Sequence, residues 1–215
     1  MKLLDWLLEL LFPTRCAFCH KLRDGAAVCR WCETSIPRAQ GEAQRQRFQH
    51  VELCVSPLYY EADVRQSLRR YKFHGAKAYW KIYNKFISKC VDGNEISCDI
   101  ITWVPLSRRR LRYRGYDQAR LLAEALAEQR GVPCARLLNK IRDNPAQSMT
   151  GGPEARRANV DGVYEAVNTE LVQGKRVLLL DDIVTTGSTL SACAGVLKQA
   201  GAASVIAATV ARARD

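Results

Sequence analysis

The stretch Arg176–Leu190, with the sequence RVLLLDDIVTTGSTL, limits the fold of this chain more than any other segment. It begins with an unbroken apolar run, Val177–Leu180, which is typical of a strand buried on both faces of a parallel sheet. Two carboxylates follow, and then small hydroxyl residues around one glycine. A helical pattern begins directly afterwards, with Leu190 and Leu197 on one face. The sequence therefore predicts an α/β sheet, in which ligands bind beyond the carboxyl ends of the strands.

The residues after the apolar run have the chemistry that a sugar phosphate requires. Adjacent acids, Asp181 and Asp182, repel phosphate, but they accept hydrogen bonds from ribose hydroxyls or hold a hydrated Mg²⁺. Ile183 and Val184 separate them from a cluster that offers backbone N–H and hydroxyl donors to a phosphate. That cluster consists of Thr185, Thr186, Gly187, Ser188 and Thr189. The stretch is similar to the motif with which type I phosphoribosyltransferases bind phosphoribosyl pyrophosphate (PRPP). The alternative is an ordinary strand–loop–helix turn with a capping hydroxyl.

Four of the nine cysteines are paired by their spacing, as Cys16-x-x-Cys19 and Cys29-x-x-Cys32. Two such pairs separated by nine residues can surround a Zn²⁺ ion tetrahedrally. A segment this short has no hydrophobic core of its own, so zinc would supply its folding free energy, about 10–16 kcal/mol in peptides. The spacing predicts a structural zinc site with His20 as a neighbour. The alternatives are a redox pair and a chance spacing.

The length of 215 residues allows one α/β domain with a small appendage. We expect residues 1–50 to form a short helix, the zinc segment and, from Glu33 to about His50, a polar linker or surface loop. Residues 51–215 are expected to form the main domain. Asp5 and Glu9 interrupt the apolar residues before Pro13, and no cleavage site follows. This pattern predicts an amphipathic helix rather than a signal peptide, no membrane span, and a cytoplasmic protein.

The net charge of +11 indicates anionic partners, and one segment combines lysines with aromatic residues. The segment is Tyr71–Phe86, and such interleaving suits single-stranded nucleic acid, where each stacked base contributes about 1–3 kcal/mol. The alternative, which we favour for Trp80 and Tyr83, is a helix with core aromatics and a solvated lysine face. We expect Lys72, Phe73 and Gly75 to lie in a loop after the helix Ala62–Tyr71. The candidates for nucleic-acid contact are Lys72, Phe73, Lys77, Lys81, Arg112 and Arg114.

A second predicted strand, Asp99–Val104, ends in a turn that is followed by five arginines in seven positions. Arginine offers forked donors to phosphate oxygens, so this turn suits a pyrophosphate. The residues concerned are Pro105, Leu106, Ser107 and Arg108. The alternative is a surface charge run. Farther on, a polar loop after the predicted strand Leu137–Ile141 has the length of a lid. Its candidate ligand contacts are Gln147, Arg156 and Arg157.

Together these segments resemble the ComF family, phosphoribosyltransferase-like proteins of bacterial natural competence that include the GntX-type members. The matching segments are the two CxxC pairs, YKFHG, VPLSRRRLRYRGYDQA, the loop from Gln147 to Asn159, VLLLDDIVTTGSTL and the terminal AR. The resemblance implies a type I phosphoribosyltransferase-like open parallel sheet with flanking helices, plus a small N-terminal zinc-binding segment. It also implies a role in handling incoming single-stranded DNA beside a helicase-like competence ATPase.

The resemblance also implies that Asp181 and Asp182 contact ribose hydroxyls or Mg²⁺ and that the hydroxyl cluster binds the 5′-phosphate. No segment that would grip an acceptor base or amine is evident, and no catalytic base is predicted. Three functions therefore stay open at this point. The chain binds PRPP and Mg²⁺ in DNA uptake, or transfers the phosphoribosyl group to an unidentified acceptor, or binds nucleic acid or protein with a vestigial ligand pocket.

Overall fold

The computed structural model describes residues 15–22, 27–142 and 162–214, which form an α/β fold. The helices in these ranges are α1 (Arg30–Ser35), α2 (Ala62–Phe73), α3 (Trp80–Gly93), α4 (Arg108–Arg114), α5 (Gln118–Arg130) and α6 (Ser188–Gln199). The strands are β1 (Arg45–Phe48), β2 (Val51–Val55), β3 (Leu58–Tyr59), β4 (Ile100–Trp103), β5 (Leu138–Lys140), β6 (Tyr164–Ala166), β7 (Arg176–Val184) and β8 (Ser204–Arg212).

The main sheet has the strand order β1-β2-β8-β7-β4, and β3 also pairs with β8. Every pairing in it is parallel except that of β1 with β2. Strands β5 and β6 form a separate antiparallel pair. The predicted α/β class with flanking helices is confirmed. The sheet is mixed rather than purely parallel, because β1 adds an antiparallel edge.

Strand β7 lies between β8 and β4, and its apolar run is buried on both faces as its sequence predicts. Side chains of a strand alternate between the two faces of a sheet. Leu178 and Leu180 therefore belong to the core that contains Tyr83, whereas Leu179 belongs to the core that contains Leu190. Helices α2, α3 and α5 contribute to the first core, and α6 contributes to the second.

Strand β7 extends four residues beyond the predicted run, to Val184. Its pairing with β8 continues over these residues, with Asp181 opposite Thr209 and Val184 opposite Arg212. The two acids therefore lie inside the strand, near its carboxyl end, rather than after it. A similar correction applies to Lys72, which was predicted to lie in a loop and in fact belongs to the last turn of α2.

Residues 33–50, predicted to be a polar linker, contain regular structure. They include the end of α1, a 3₁₀ turn at Gly41–Gln44 and strand β1. The sequence of β1 is RQRF, in which Arg45 and Arg47 are exposed and Phe48 is partly buried. An edge strand with one apolar side chain has no hydrophobic pattern that sequence analysis could detect. The division of the chain at residue 50 stays a prediction, and the pairing of β1 with β2 crosses that position.

The cysteine-rich segment packs against the main helices. Phe18 is fully buried, and its ring lies edge-on to Tyr83 at 6.4 Å and to Phe86 at 6.0 Å between ring centres. The guanidinium of Arg70 donates a hydrogen bond of 3.0 Å to the carbonyl of Ala17. The segment and the helices therefore share one core.

Two predicted features lie outside the described residues. They are the N-terminal helix before Pro13 and the lid with Gln147, Arg156 and Arg157. Within the parts of the chain that the structure describes, none of the helices has the length and apolar character needed to cross a bilayer.

Candidate functional site

The carboxyl ends of β4 and β7 lie beside a cavity of about 200 Å³, which we call the acid cavity. Three acids and four cations contribute to its lining: Asp117, Asp181, Asp182, Lys72, Arg110, Arg114 and Lys140. The lining also includes Pro105 and Leu106 of the predicted pyrophosphate turn. The structure thus brings together the predicted sugar-binding acids and the predicted pyrophosphate turn, which lie far apart in the sequence.

The two acids of β7 carry a buried charge that a lysine compensates. Asp182 is 8% exposed, and its Oδ1 lies 2.8 Å from Nζ of Lys72. The backbone N–H of Asp182 donates to Oδ1 of Asp181 at 2.7 Å. Burial raises the pKa of Asp181 to about 8, the charge of Asp182 adds to this effect, and Lys72 opposes it. Lys72 therefore compensates the buried carboxylate of Asp182 through the ion pair.

Ile183 and Val184, which follow the acids, differ in their surroundings. Ile183 is partly buried and lines the cavity. Val184 is 2% exposed and belongs to the core that contains Leu190. Ile183 is thus available for ligand contact, whereas Val184 is packed in the interior.

The hydroxyl cluster forms the connection from β7 to α6. Gly187 has a φ of 72° and precedes Ser188, the first residue of the helix. This backbone conformation favours glycine because a Cβ atom is strained there. The hydroxyls of Thr186 and Ser188 lie 2.9 Å apart, beside the helix N-terminus, where anions bind favourably. Thr185 and Thr186 are exposed, as a phosphate contact requires.

The hydroxyl cluster meets two cavities rather than one. Thr189 lines the cavity of the acids, whereas Thr186 and Ser188 line a neighbouring cavity of about 810 Å³. Tyr164 of β6 lines both cavities. The residues predicted to contact the phosphate and those predicted to contact the sugar therefore line adjacent cavities that share Tyr164.

The predicted pyrophosphate turn is held in place by Asp117, which sequence analysis did not select. Oδ2 of Asp117 accepts a hydrogen bond from the backbone N–H of Leu106 at 3.1 Å, and Oδ1 accepts one from Arg120 at 3.2 Å. Burial raises the pKa of this carboxyl group, while the N–H donors oppose the rise. Its sequence signal is that of a helix cap, an acid directly before α5. Ser107 similarly caps α4 by accepting from the N–H of Arg110 at 3.3 Å.

The arginine run forms helix α4, none of whose side chains is buried. Arg110 and Arg114 line the acid cavity, whereas Arg108, which was predicted to support the pyrophosphate turn, is exposed at the start of the helix. Arg112 is also exposed. The guanidinium of Arg114 lies 4.8 Å from the ring centre of Phe73 and donates to Oε1 of Gln118 at 2.8 Å.

The predicted nucleic-acid residues fall into two groups. Lys72 and Arg114 line the acid cavity, together with the acids of β7. The exposed group consists of Phe73, Lys77, Lys81 and Arg112. Tyr83 is fully buried, which agrees with the alternative that its ring belongs to the core side of a helix. Phe73 is 51% exposed and lies beside Arg114, so the two groups are in contact.

The four paired cysteines form one cluster, in which all Sγ atoms lie within 4.8 Å of one another. The Sγ atoms of Cys19 and Cys29 are 3.8 Å apart, and a tetrahedral Zn²⁺ with Zn–S bonds of about 2.3 Å requires about 3.8 Å. Backbone N–H groups of Cys29 and Cys32 donate to Sγ of Cys16 and Cys29 at 3.4 and 3.3 Å. The cluster therefore fits a structural zinc ion, and His20 lies exposed outside it.

Comparisons with known proteins identify a matching domain family and several relatives of this chain. Residues 115–215 match the model of the phosphoribosyl transferase domain. The chain is 28% identical over 202 residues to competence protein ComFC from Bacillus subtilis (strain 168). This alignment covers 92% of this chain and 77% of the relative. It is 34% identical over 111 residues to the DNA utilization protein YhgH from Escherichia coli (strain K12), and this alignment covers 50% of this chain and 46% of the relative.

Among the solved structures that match this chain is glutamine PRPP amidotransferase from B. subtilis complexed with ADP and GMP. It has a TM-score of 0.42 and 25% identity, over 60% of this chain and 25% of that chain. The resemblance predicted from the sequence motifs is confirmed by the named homologues and the matched domain. The matched region contains β7 and α6, whereas Lys72 and the cysteine cluster lie before it.

Proposed function

We propose that this chain, a homologue of the ComF competence proteins with a phosphoribosyl transferase domain, binds PRPP with Mg²⁺ and acts in handling single-stranded DNA during natural competence. The observation that carries the proposal is that three predicted ligand-binding elements meet at two adjacent cavities that share Tyr164. These elements are the acids of β7, the turn after β4 with the arginines of α4, and the N-terminus of α6. PRPP has one chemical group for each of them.

Each part of PRPP has a matching set of donors or acceptors. The N-terminus of α6, with Thr186 and Ser188, suits the 5′-phosphate. Mg²⁺ prefers oxygen ligands. The carboxylate oxygens of Asp181 and Asp182 can accept hydrogen bonds from the ribose hydroxyls or from water molecules bound to the ion. The turn at Leu106, with the neighbouring arginines, suits the diphosphate. Bound Mg²⁺ would neutralise part of the charge on the diphosphate.

Calorimetry with PRPP and Mg²⁺ tests this proposal. We expect the wild-type chain to bind, and Asp182→Asn to bind about ten- to a hundredfold more weakly because hydrogen bonds to a charged group are lost. Lys85→Met, a substitution on the exposed face of α3, serves as the control and should bind like the wild type. Equal heats for wild type and Asp182→Asn would contradict the proposal. Release of pyrophosphate with a panel of bases and amines separates turnover from binding.

A nucleic-acid surface on α4 forms the second part of the proposal. The helix carries five arginines, none of its side chains is buried, and Tyr113 is 80% exposed. Charges of one sign on one short helix repel each other, so an anionic partner stabilises the arrangement. An exposed aromatic ring beside these cations suits the bases of a single strand.

The zinc segment is the part of the chain that we propose for contact with a helicase-like ATPase. Trp31, which lies between Cys29 and Cys32, is 64% exposed. Tryptophan is enriched at protein interfaces because one ring buries a large apolar area. Trp31→Ala should abolish capture of the ATPase by the purified chain while the zinc content stays unchanged. Capture that persists in Trp31→Ala would contradict this assignment.

A further inference from the structure

The ion pair between Lys72 and Asp182 connects two layers of the fold across the acid cavity. Lys72 belongs to the last turn of α2, and Asp182 belongs to β7. Nζ and Oδ1 are 2.8 Å apart, and the two side chains are only 19% and 11% exposed. Charges that are this close and this well shielded from water interact more strongly than a surface pair. Asp182 is therefore held by a lysine.

This contact occupies Oδ1 of the carboxylate that the proposed ligand needs. A ribose hydroxyl must donate to Asp182, and it competes there with an ammonium group. Lys72 lines the same cavity of about 200 Å³ as Leu106, Arg110 and Arg114, where we place the diphosphate. A lysine has a flexible four-carbon stem and a compact charge, so its head can move within the cavity. A diphosphate carries more negative charge than one carboxylate and is the stronger partner for Lys72.

We propose that Lys72 is a specificity-determining residue that moves from Asp182 to the diphosphate of the ligand and thereby frees Asp182 for the ribose hydroxyls. This inference rests on the proposed binding of PRPP. One lysine then couples the two halves of the ligand, because the diphosphate removes the competitor of the sugar. The site consequently discriminates PRPP from ribose 5-phosphate, which has no diphosphate to displace Lys72.

The coupling can be measured on the wild-type chain with the two parts of the ligand. Binding of ribose 5-phosphate is titrated with and without saturating inorganic pyrophosphate, in buffer without added Mg²⁺. We expect pyrophosphate to tighten the binding of ribose 5-phosphate about five- to tenfold, and ribose 5-phosphate to tighten pyrophosphate by the same factor. Two anions in adjacent cavities otherwise repel each other. Unchanged or weaker binding would therefore overturn the proposal without any substitution in the protein.

A substitution tests the residue itself. We expect Lys72→Met to bind PRPP about ten- to a hundredfold more weakly, because a charged hydrogen-bond donor is lost. Binding of ribose 5-phosphate should stay within threefold of wild type or improve. Lys85→Met is again the control. Equal losses for both ligands would show that Lys72 only compensates the charge of Asp182, and this outcome overturns the inference.

The two proposals fail in different ways. A wild-type chain that does not bind PRPP contradicts the proposed function and the role of Lys72 together. A wild-type chain that binds PRPP, with no coupling between ribose 5-phosphate and pyrophosphate, contradicts only the role of Lys72. The wild-type titration also decides the question if Lys72→Met does not fold.

Discussion

The ring of Phe48 lies directly against Gly187, so that a Cβ atom at Gly187 would penetrate the ring. Phe48 belongs to β1, the edge strand that has no hydrophobic pattern, and Gly187 belongs to the loop before α6. The contact joins the first strand of the sheet to the candidate phosphate-binding loop. The conformation of that loop therefore depends on a residue outside the matched phosphoribosyl transferase domain.

Substitution of Gly187 by alanine should destabilise the protein strongly. The new methyl group meets the ring of Phe48, and the φ of 72° is itself unfavourable for alanine. Overpacking costs about 1–3 kcal/mol and the backbone conformation about 1 kcal/mol more, so we expect a loss of about 2–4 kcal/mol in urea unfolding. In the double variant with Phe48→Ala, the clash is absent, so the two losses should not add. Additive losses would show that the ring does not restrict Gly187.

Substitution of Asp117 by alanine should weaken the turn that we assign to the diphosphate. The carboxylate accepts from the N–H groups of Leu106 and Arg120, which would both lose their partner. Loss of a helix cap and of a buried acceptor costs about 1–3 kcal/mol in urea unfolding. Glu128→Ala, an exposed position on the same helix, is the control. A loss no larger than that of Glu128→Ala would mean that Asp117 does not hold the turn.

The sequence predicted those parts of the site whose signals are local. The apolar run of β7, the hydroxyl cluster and the α6 face at Leu190 follow from periodicity and spacing along a few residues. The loop predicted at Lys72 was wrong, because the residue belongs to the last turn of α2. Its contact with Asp182 arises from the packing of that helix against the sheet. Phe48 and Tyr164 were missed for the same reason, because each reaches the site from another strand. Such contacts depend on tertiary packing, which local sequence patterns do not encode.

The ion pair between Asp99 and Arg176 should make stability depend on pH in the acid range. Hydrogen bonds from the guanidinium and the backbone N–H of Arg176 lower the pKa of Asp99 from 3.8 to about 2. A lowered pKa means that the folded protein binds the proton less readily than the unfolded chain. The contribution of this pair is therefore fully present above about pH 4 and is lost as the pH falls through about 2.

The measurement is the urea midpoint of wild type and Asp99→Asn between pH 6 and pH 2. The variant should be less stable at pH 6, and the two curves should converge towards pH 2. Glu52→Gln, an exposed position on β2, is the control and should follow the wild type throughout. A difference between wild type and Asp99→Asn that stays constant over the whole range would contradict the assignment.

Substitution of Cys16 by serine should remove the zinc ion and destabilise the helices packed against it. Cys16 is fully buried in the cluster, and a three-thiolate site binds zinc much less tightly. The neighbouring Phe18 contacts Tyr83 and Phe86, so the loss should extend to the unfolding of the main domain. Elemental analysis should find about one zinc per chain in wild type and in Cys134→Ser, a cysteine outside the cluster. Wild-type protein with less than about half a zinc per chain would contradict the zinc assignment.

Two substitutions on α4 should separate the electrostatic and stacking contributions to nucleic-acid binding. Arg112→Ala removes one exposed cation, and the slope of log affinity against log salt should fall by about 0.7 for a single strand. Tyr113→Ala removes the exposed ring, which should weaken binding by about 1–3 kcal/mol with an unchanged slope. Lys175→Ala removes an exposed cation just before β7, at the end of the strand remote from the acids, and should change neither quantity. If Arg112→Ala and Lys175→Ala bind a labelled oligonucleotide with the same salt dependence, α4 does not contact the phosphates.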